Sequence, residues 1–267
     1  MYRLLAIDLD GTLLNPERII TSRTHKALQE AAAAGLTIVI VTGQSLPVLR
    51  YMCAELPLTA AQIIHNGAMI VDVDNNSILY EQPLPTEQIL PALDALRRLG
   101  FYRVYHTHQG TYVDSDMPPL HYSYRPPLPP AIRIADITSI YPQPCIKLAA
   151  VGEASSVREK RQELERLFAG KLYITQSAPR LVEMMHPDVS KDKALRIITQ
   201  RAGIASEEVV AFGDNHNDIG MLRFAGLGVA MGNASDEVKE AADYVTSSNA
   251  DNGVARVIEE MVLPALR

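Results

Sequence analysis

The chain has 267 residues, 47% of them hydrophobic, which suffices for one large domain or two modest ones with a real core. Its formal net charge of −6 provides no basic field to hold nucleic acid or an anionic membrane. Two cysteines, Cys53 and Cys145, form neither a disulfide framework nor a metal-knuckle pattern. We find no signal peptide and no apolar run long enough to cross a bilayer, and therefore expect a soluble cytoplasmic protein.

Apolar strand-like runs alternate with helical patterns in the first part of the chain. The run Thr37–Val41 is apolar and β-branched throughout, as expected for a strand covered on both faces. Gly35 suits the end of the helix before it, and Asn66-Gly67 predicts a turn. The predicted elements are the strands Leu4–Leu9, Thr37–Val41, Gln62–Ile64, Met69–Val73 and Ile78–Glu81 and the helices Thr21–Ala34 and Leu46–Glu55.

The same alternation returns near the end of the chain. It predicts a parallel sheet built from both chain ends, and hence an α/β fold with a Rossmann-like core formed by residues 1–82 and 188–267. The predicted elements here are the strands Val209–Gly213, Gly228–Met231 and Tyr244–Thr246 and the helices Asp218–Phe224, Asp236–Ala242 and Gly253–Leu266.

The middle of the chain has a different pattern, so we predict that residues 83–187 form a separate α+β domain inserted into the first. Pro91 marks a kink or boundary in its first helix, and the proline-rich segment Met117–Pro130 is predicted to be a surface loop. The other predicted elements are the helices Thr86–Leu99 and Ser155–Phe168, the hairpin Tyr102–His106 and Gly110–Val113, and the strands Ile146–Val151, Leu172–Thr175 and Leu181–Met185.

Two carboxylates, Asp8 and Asp10, come directly after the first apolar run and are followed by Gly11 and Thr12. The carboxyl edge of an open α/β sheet is where ligands bind, and alternate residues of a strand share a face. If strand geometry holds as far as Asp10, both carboxylates point into one site. There one could act as a nucleophile, the other could transfer protons, and a divalent cation could hold the two together. An ordinary polar turn is the simpler alternative; a calcium EF-hand is excluded because a strand precedes the pair and later loop ligands are missing.

Three further groups lie at strand ends or helix starts. Thr42-Gly43 ends the second predicted strand. It offers a hydroxyl and backbone N–H groups before a helix, an arrangement suited to binding a phosphate. Lys191 could neutralise a phosphate oxygen, although a solvated lysine is the common outcome at a helix start and Lys193 is a competing candidate.

The last group follows the strand Val209–Gly213. Asp214 could ligate a hard cation such as Mg²⁺, and Asn217 and Asp218 could support it. Asp218 could instead be only an acidic residue favoured by the helix dipole. His216 is predicted to be structural or solvent-facing, because Mg²⁺ seldom recruits imidazole.

Taken together and in this order, these groups resemble the motifs of the haloacid dehalogenase superfamily of phosphatases. The first matches its DxDGT motif, Thr42 the second motif, Lys191 the third, and Gly213–Asp218 matches GDxxND. The inserted middle domain resembles a C2-type cap. The segments that resemble the Cof-type branch are Asn66-Gly67-Ala68, Val189-Ser190-Lys191, Met221-Leu222, Gly232-Asn233-Ala234 and Asp251-Asn252-Gly253-Val254-Ala255.

The resemblance implies roles for these residues. Asp8 would attack phosphorus and form an aspartyl-phosphate, and Asp10 would act as acid and then base. Mg²⁺ would be held by Asp8, the main-chain carbonyl of Asp10 and Asp214, with Asn215 as an extension of the set. Thr42, Gly43, Lys191 and Asn217 would bind the transferring phosphoryl group, supported by Asp218.

The implied function is a Mg²⁺-dependent phosphomonoesterase acting on sugar phosphates or phosphorylated cofactors. Two alternatives stay open: a phosphomutase of the same superfamily and a catalytically silent regulator that binds a phosphorylated ligand. Neither nucleic acid nor membrane is an expected partner, and the protein is expected to be a monomer or a homodimer. One departure is Gln44, which stands where family members commonly carry arginine.

Overall fold

A computed structural model describes residues 1–58, 61–115 and 130–266. The predicted proline-rich loop lies outside these residues except for Pro130. The strands are β1 (Leu4–Ile7), β2 (Thr37–Ile40), β3 (Ala61–Ile64), β4 (Met69–Asp72), β5 (Ile78–Glu81), β6 (Tyr102–His106), β7 (Thr111–Val113), β8 (Ile132–Arg133), β9 (Lys147–Val151), β10 (Tyr173–Ala178), β11 (Leu181–Met185), β12 (Val209–Gly213), β13 (Leu227–Ala230) and β14 (Tyr244–Val245). The helices are α1 (Ser22–Ala33), α2 (Leu46–Met52), α3 (Thr86–Arg98), α4 (Ala154–Leu167), α5 (Lys191–Ala202), α6 (Ile219–Phe224), α7 (Asp236–Glu240) and α8 (Gly253–Val257).

The described chain divides into two compact units. Unit 1 contains Met1–Tyr80 and Ser190–Arg267, and unit 2 contains Glu81–Val189. Within the described residues, no helix has the length and apolar character needed to cross a lipid bilayer.

Unit 1 is built on a five-stranded parallel sheet in the order β14-β13-β12-β1-β2. The sequence prediction of a parallel sheet assembled from both chain ends is therefore confirmed. On one face of β1, Leu4 and Ala6 share a core with Leu195 of α5, and the alternate residues Leu5 and Ile7 are also fully buried. Burial of both faces explains why the strands are continuously apolar rather than alternating.

The outer edge of β2 is closed by one side chain rather than by a full strand. The fully buried Gln62 of β3 accepts a hydrogen bond from Ile40 N at 2.7 Å and donates one to Ile38 O at 3.1 Å. Beyond this amide, an isolated bridge joins Val41 to Ile63. The antiparallel sheet β3-β4-β5 is thus attached to the parallel sheet through the Gln62 side chain and a short backbone bridge.

Several element boundaries differ from the sequence prediction. The first strand ends at Ile7 rather than Leu9, because the chain turns at once and Leu13 N bonds back to Asp8 O. Helix α3 continues through Pro91, so that proline is not a boundary. The predicted final helix Gly253–Leu266 is α-helical only over Gly253–Val257 and then changes its hydrogen-bond spacing over Ile258–Val262.

Unit 2 is an α+β unit with a six-stranded sheet in the order β10-β11-β9-β6-β7-β8. Helices α3 and α4 bury Leu93, Leu96 and Leu164 with Tyr105 and Leu148 of the sheet. On the alternate residues of the sheet, a smaller cluster contains Val104, Val113 and Ala149. A buried ion pair joins Lys147 of β9 to Glu183 of β11.

Replacing Gln62 with methionine should destabilise unit 1. The substitution keeps the side-chain size but leaves the buried groups Ile40 N–H and Ile38 C=O without their amide partner. Each such group costs about 1–3 kcal/mol, so we expect the free energy of unfolding to fall by about 2–4 kcal/mol in urea titrations. Gln29→Met on the exposed side of α1 is the matched control and should change it little. Equal stability of the two variants would contradict this role for Gln62.

Candidate active site

Three carboxylates from distant parts of unit 1 meet at the carboxyl ends of two neighbouring strands. Asp8 follows β1, Asp214 follows β12, and Asp8 N donates to Phe212 O at 3.0 Å. One oxygen from each of Asp8, Asp214 and Asp218 lies within 4.8 Å of the others. Because β1 and β12 are parallel and adjacent, the residues that follow them must emerge at the same edge of the sheet.

Lys191 is buried against two of these carboxylates. As the first residue of α5, it follows the N-cap Ser190, whose side chain accepts from Lys193 N. Its Nζ lies 2.5 Å from Asp8 Oδ1 and 2.6 Å from Asp218 Oδ1. Burial alone would lower the pKa of Lys191, but the charges of Asp218 and Asp8 raise it above its ordinary value. The ammonium is therefore fixed and charged, whereas the alternative candidate Lys193 is exposed.

The carboxylates carry more negative charge than Lys191 can neutralise. Burial raises the pKa of Asp8 well above its ordinary range, the charge of Lys191 opposes this, and Asp218 and Asp214 raise it further. Burial also raises the pKa of Asp214 to about 6. The shifts reflect first the loss of solvation on burial and then repulsion between the carboxylates, which Lys191 offsets only in part. A clustered set of oxygen donors with surplus negative charge is suited to a hard divalent cation.

Asp218 holds the loop that carries Asp214. Its Oδ2 accepts from Asp214 N at 3.0 Å and from Asn215 N at 2.9 Å, while its Oδ1 accepts from Lys191. The side chain is fully buried. Because both oxygens are already engaged, the geometry suits Asp218 to orient Lys191 and the Asp214 loop.

Gly11 and Thr12 bring the first motif against Asp214. Thr12 Oγ1 donates to Asp214 Oδ1 at 2.7 Å. Gly11 adopts a φ of +87°, and a Cβ at this position would overlap the Asp214 carboxylate. Glycine is thus required both by the backbone conformation and by the close approach. The DxDGT motif predicts that Thr12 lies at the site, but the hydrogen bond from Thr12 to Asp214 could not be derived from the sequence.

Asp10 is held differently from Asp8. Since β1 ends at Ile7, the expectation that alternate residues of a strand share a face does not extend to Asp10. Its Oδ1 accepts from Arg18 Nη2 at 2.6 Å and its Oδ2 from Gln44 Nε2 at 2.6 Å. No sequence motif singles out Arg18, and Gln44 stands out only as a departure from the family pattern.

Thr42 and Gly43 follow β2, the strand next to β1, which ends at Ile40. Thr42 is buried, its N–H donates to Ile63 O at 3.0 Å, and its Oγ1 accepts from Gln44 N at 3.1 Å. A hydroxyl that accepts one bond still has a proton to donate. At Gly43, an added Cβ would lie 2.8 Å from Asn66 Oδ1, so this glycine permits a close approach of the Asn66 loop.

Asn217 contacts a residue that the sequence placed only in a turn. Its Nδ2 donates to Asn66 Oδ1 at 3.0 Å, and Asn66 is buried in a left-handed conformation with a φ of 57°. The buried Oδ1 of Asn217 has no hydrogen-bond partner among the residues that the structure describes. Asn215, in contrast, is exposed, and its Oδ1 accepts from His216 N at 2.8 Å, capping the next turn.

Two asparagines near the end of the chain attach the first motif to its surroundings. Asn233 Nδ2 donates to Gly11 O at 2.9 Å, and Asn249 Nδ2 donates to Leu14 O at 2.7 Å. Asn249 N also donates to Asn233 Oδ1 at 2.9 Å. Asn233 belongs to one of the segments that resemble the Cof-type branch, but the sequence did not indicate what it contacts.

The ordered motifs and the cluster they form agree with a family-model comparison. Residues 5–258 match the model of the haloacid dehalogenase-like hydrolases. The chain belongs to this family. This haloacid dehalogenase-like hydrolase also aligns along nearly its whole length with proteins of known name.

The similar proteins are phosphatases or proteins of the same fold. A 5-amino-6-(5-phospho-D-ribitylamino)uracil phosphatase of Bacillus subtilis, YcsE, is 35% identical over 98% of this chain and 96% of the relative. The pyridoxal phosphate phosphatase YbhA of Escherichia coli is 30% identical over 96% and 97%. The crystal structure of a haloacid dehalogenase-like hydrolase from Bacteroides thetaiotaomicron has a TM-score of 0.87 at 29% identity, covering 98% of this chain and all of the other. The chain is a phosphatase of the haloacid dehalogenase type with the expected α/β core.

Removing the buried ammonium of this hydrolase should cost much of its stability. In Lys191→Met, Asp8 and Asp218 lose the cation that contacts both of them. Breaking a buried ion pair on one side costs about 3–5 kcal/mol, so the free energy of unfolding should fall by about that amount in urea titrations at neutral pH with EDTA. Lys193→Met removes an exposed lysine two residues away and should have a small effect. A Lys191 variant as stable as this control would contradict the analysis.

Proposed function

We propose that this hydrolase is a Mg²⁺-dependent phosphomonoesterase that cleaves small phosphorylated metabolites through an aspartyl-phosphate on Asp8. The observation that carries the proposal is the meeting of Asp8, Lys191 and Asp214 at one sheet edge. A carboxylate, a fixed ammonium and a surplus of acidic oxygens in one place are the groups that in-line phosphoryl transfer requires.

In the proposed first step, an oxygen of Asp8 forms a bond to phosphorus while the ester bond to the leaving oxygen breaks. Asp10 supplies the proton that the leaving oxygen takes. In the second step, a water oxygen attacks the phosphorus of the aspartyl-phosphate, its proton passes to Asp10, and the Asp8 carboxylate is released. Asp10 is thereby restored to its starting state.

The residues around Asp8 are proposed to hold the transferred group. The ammonium of Lys191 lies 2.5 Å from Asp8 Oδ1. It neutralises the negative charge on the phosphate oxygens during transfer. The Thr42 hydroxyl and the Gly43 backbone provide donors just beyond the adjacent strand β2. Asn217, with its amide nitrogen fixed by Asn66, completes the proposed phosphoryl-binding set.

The acidic cluster fits a magnesium ion by the chemistry of its donors. Asp8 and Asp214 share a small space with Asp218 and have raised pKa values, which an additional positive charge would relieve. We propose that Asp8, the main-chain carbonyl of Asp10 and Asp214 hold the cation. When bound, Mg²⁺ supplies positive charge that offsets repulsion between the carboxylate and the phosphate. The Asn215 side chain is already engaged with His216 N and is a weaker candidate.

The inserted residues 83–187 are proposed to act as a C2-type cap that selects the substrate. The names of the relatives support small phosphorylated metabolites as substrates, since YcsE is named for 5-amino-6-(5-phospho-D-ribitylamino)uracil and YbhA for pyridoxal phosphate. Sugar phosphates are a further class of proposed substrate. Released inorganic phosphate, rather than an isomerised substrate, distinguishes this proposal from a phosphomutase.

Asp8→Asn should abolish hydrolysis of 4-nitrophenyl phosphate. The amide keeps the size of the side chain but removes the nucleophilic charge, so kcat should fall on the order of a thousandfold or more. Released phosphate is measured with Mg²⁺ present. Asp236→Asn, in the exposed first turn of α7, is the matched control and should keep full activity. Equal activity of Asp8→Asn and the unchanged enzyme would refute the proposed nucleophile.

Asp214→Asn should weaken Mg²⁺ binding. In the unchanged protein, Mg²⁺ should raise the melting temperature in a concentration-dependent way, because a ligand that binds only the folded state stabilises it. Neutralising Asp214 should shift the half-saturating Mg²⁺ concentration upward by about tenfold or more, since one charged donor is lost. Thermal shift and phosphatase activity are both read across a Mg²⁺ titration. An identical titration curve for the variant would remove Asp214 from the cation site.

A further inference from the structure

Both carboxylate oxygens of Asp10 are held by side chains that lie outside the DxDGT motif. Arg18 Nη2 donates to Oδ1 and Gln44 Nε2 donates to Oδ2, each at 2.6 Å. A carboxylate held at one oxygen can rotate about that bond, whereas two donors on different oxygens fix its plane.

Gln44 extends toward Asp10 from a fixed backbone. Its N–H donates to Thr42 Oγ1 at 3.1 Å, and its carbonyl accepts from His65 N at 3.1 Å. The residue is half-buried in the loop between β2 and α2, directly before Ser45, the N-cap of α2. The amide therefore has a defined starting point beside the proposed phosphoryl-binding residues.

Arg18 is presented by an equally constrained loop. It adopts a left-handed φ of 61°, which costs free energy for a residue other than glycine and persists only where the surroundings hold it. Arg18 N donates to Asn15 O at 2.8 Å, and Asn15 Oδ1 accepts from Ile19 N at 2.9 Å. Two independent elements of unit 1 thus converge on one carboxylate.

We propose that Gln44 is a positioning residue that, together with Arg18, orients the Asp10 carboxyl group for proton delivery to the leaving oxygen. This inference rests on the proposed function, in which Asp10 is the proton donor. Small displacements of a reacting group reduce rates by up to about a hundredfold. Gln44 therefore controls rate through Asp10 without contacting the phosphorus itself.

A positioning role has a kinetic signature that a general structural role lacks. As the bond to phosphorus breaks, a poor leaving oxygen needs the Asp10 proton, whereas a good one departs as the anion. Phenyl phosphate and 4-nitrophenyl phosphate have similar shapes, but phenoxide leaves far less readily than nitrophenoxide. Misplacing the acid should therefore harm the first substrate more than the second.

The test measures kcat/KM for both substrates in Gln44→Glu and Gln44→Met, two variants that keep the side-chain size. Glutamate replaces the donor with an oxygen that repels Asp10, and methionine removes the polar contact. We expect kcat/KM for phenyl phosphate to fall about tenfold or more, within the range that acid–base groups contribute, and about threefold or less for 4-nitrophenyl phosphate. Gln44→Met keeps the test valid if the charged variant does not fold.

Gln29→Glu introduces the same charge change on the exposed side of α1 and should leave both values unchanged. In an Asp10→Asn background, Gln44→Met should have no additional effect, because the group it positions has been removed. Equal losses on both substrates, or an additional loss in that background, would overturn the inference for Gln44 alone. If Asp10→Asn itself shows no preference between the substrates, the proposed acid fails and this inference fails with it.

Discussion

The burial of one ammonium between two carboxylates organises unit 1. Lys191 is 2% exposed and contacts Asp8, which follows β1, and Asp218, which lies in the turn between β12 and α6. Removing a charge from water costs several kcal/mol, so an ion held here must be compensated by close partners. Because Lys191 is the first residue of α5, the need for close carboxylate partners fixes the start of this helix beside the residues that follow β1 and β12. The carboxylates in turn outnumber the ammonium, and the surplus charge suits the edge of the sheet to a cation.

The loops around this cluster are held by side chains bonded to backbone groups. Asp218 binds the N–H groups of Asp214 and Asn215. Asn233 and Asn249 bind carbonyls in and just after the first motif, those of Gly11 and Leu14. Each contact satisfies a backbone group that a strand or helix would otherwise pair. Irregular backbone is thereby kept in one conformation, which a preorganised site requires.

The cluster could be predicted from sequence because it follows from topology. Parallel strands deliver the residues after their carboxyl ends to one edge, so Asp8 and Asp214 had to meet once β1 and β12 were placed in one sheet. The partners of Asp10 could not be predicted in this way. Arg18 reaches it from a left-handed turn and Gln44 from a loop, and neither conformation has a periodic signature. The strand length was overestimated for a related reason, since Leu9 is apolar and buried but already lies in the turn.

The position of β1 in the middle of its sheet also determines when the protein can assemble. Its two hydrogen-bonded neighbours are β2, which follows soon after it, and β12, which lies beyond the whole inserted unit. On the ribosome, β1 and β2 are made early, yet one side of β1 has no strand to pair with until Val209–Gly213 emerges. The enzyme is thus a chain of high contact order. The described strands of unit 2 are all made before that point, while the edge of β1 is still open.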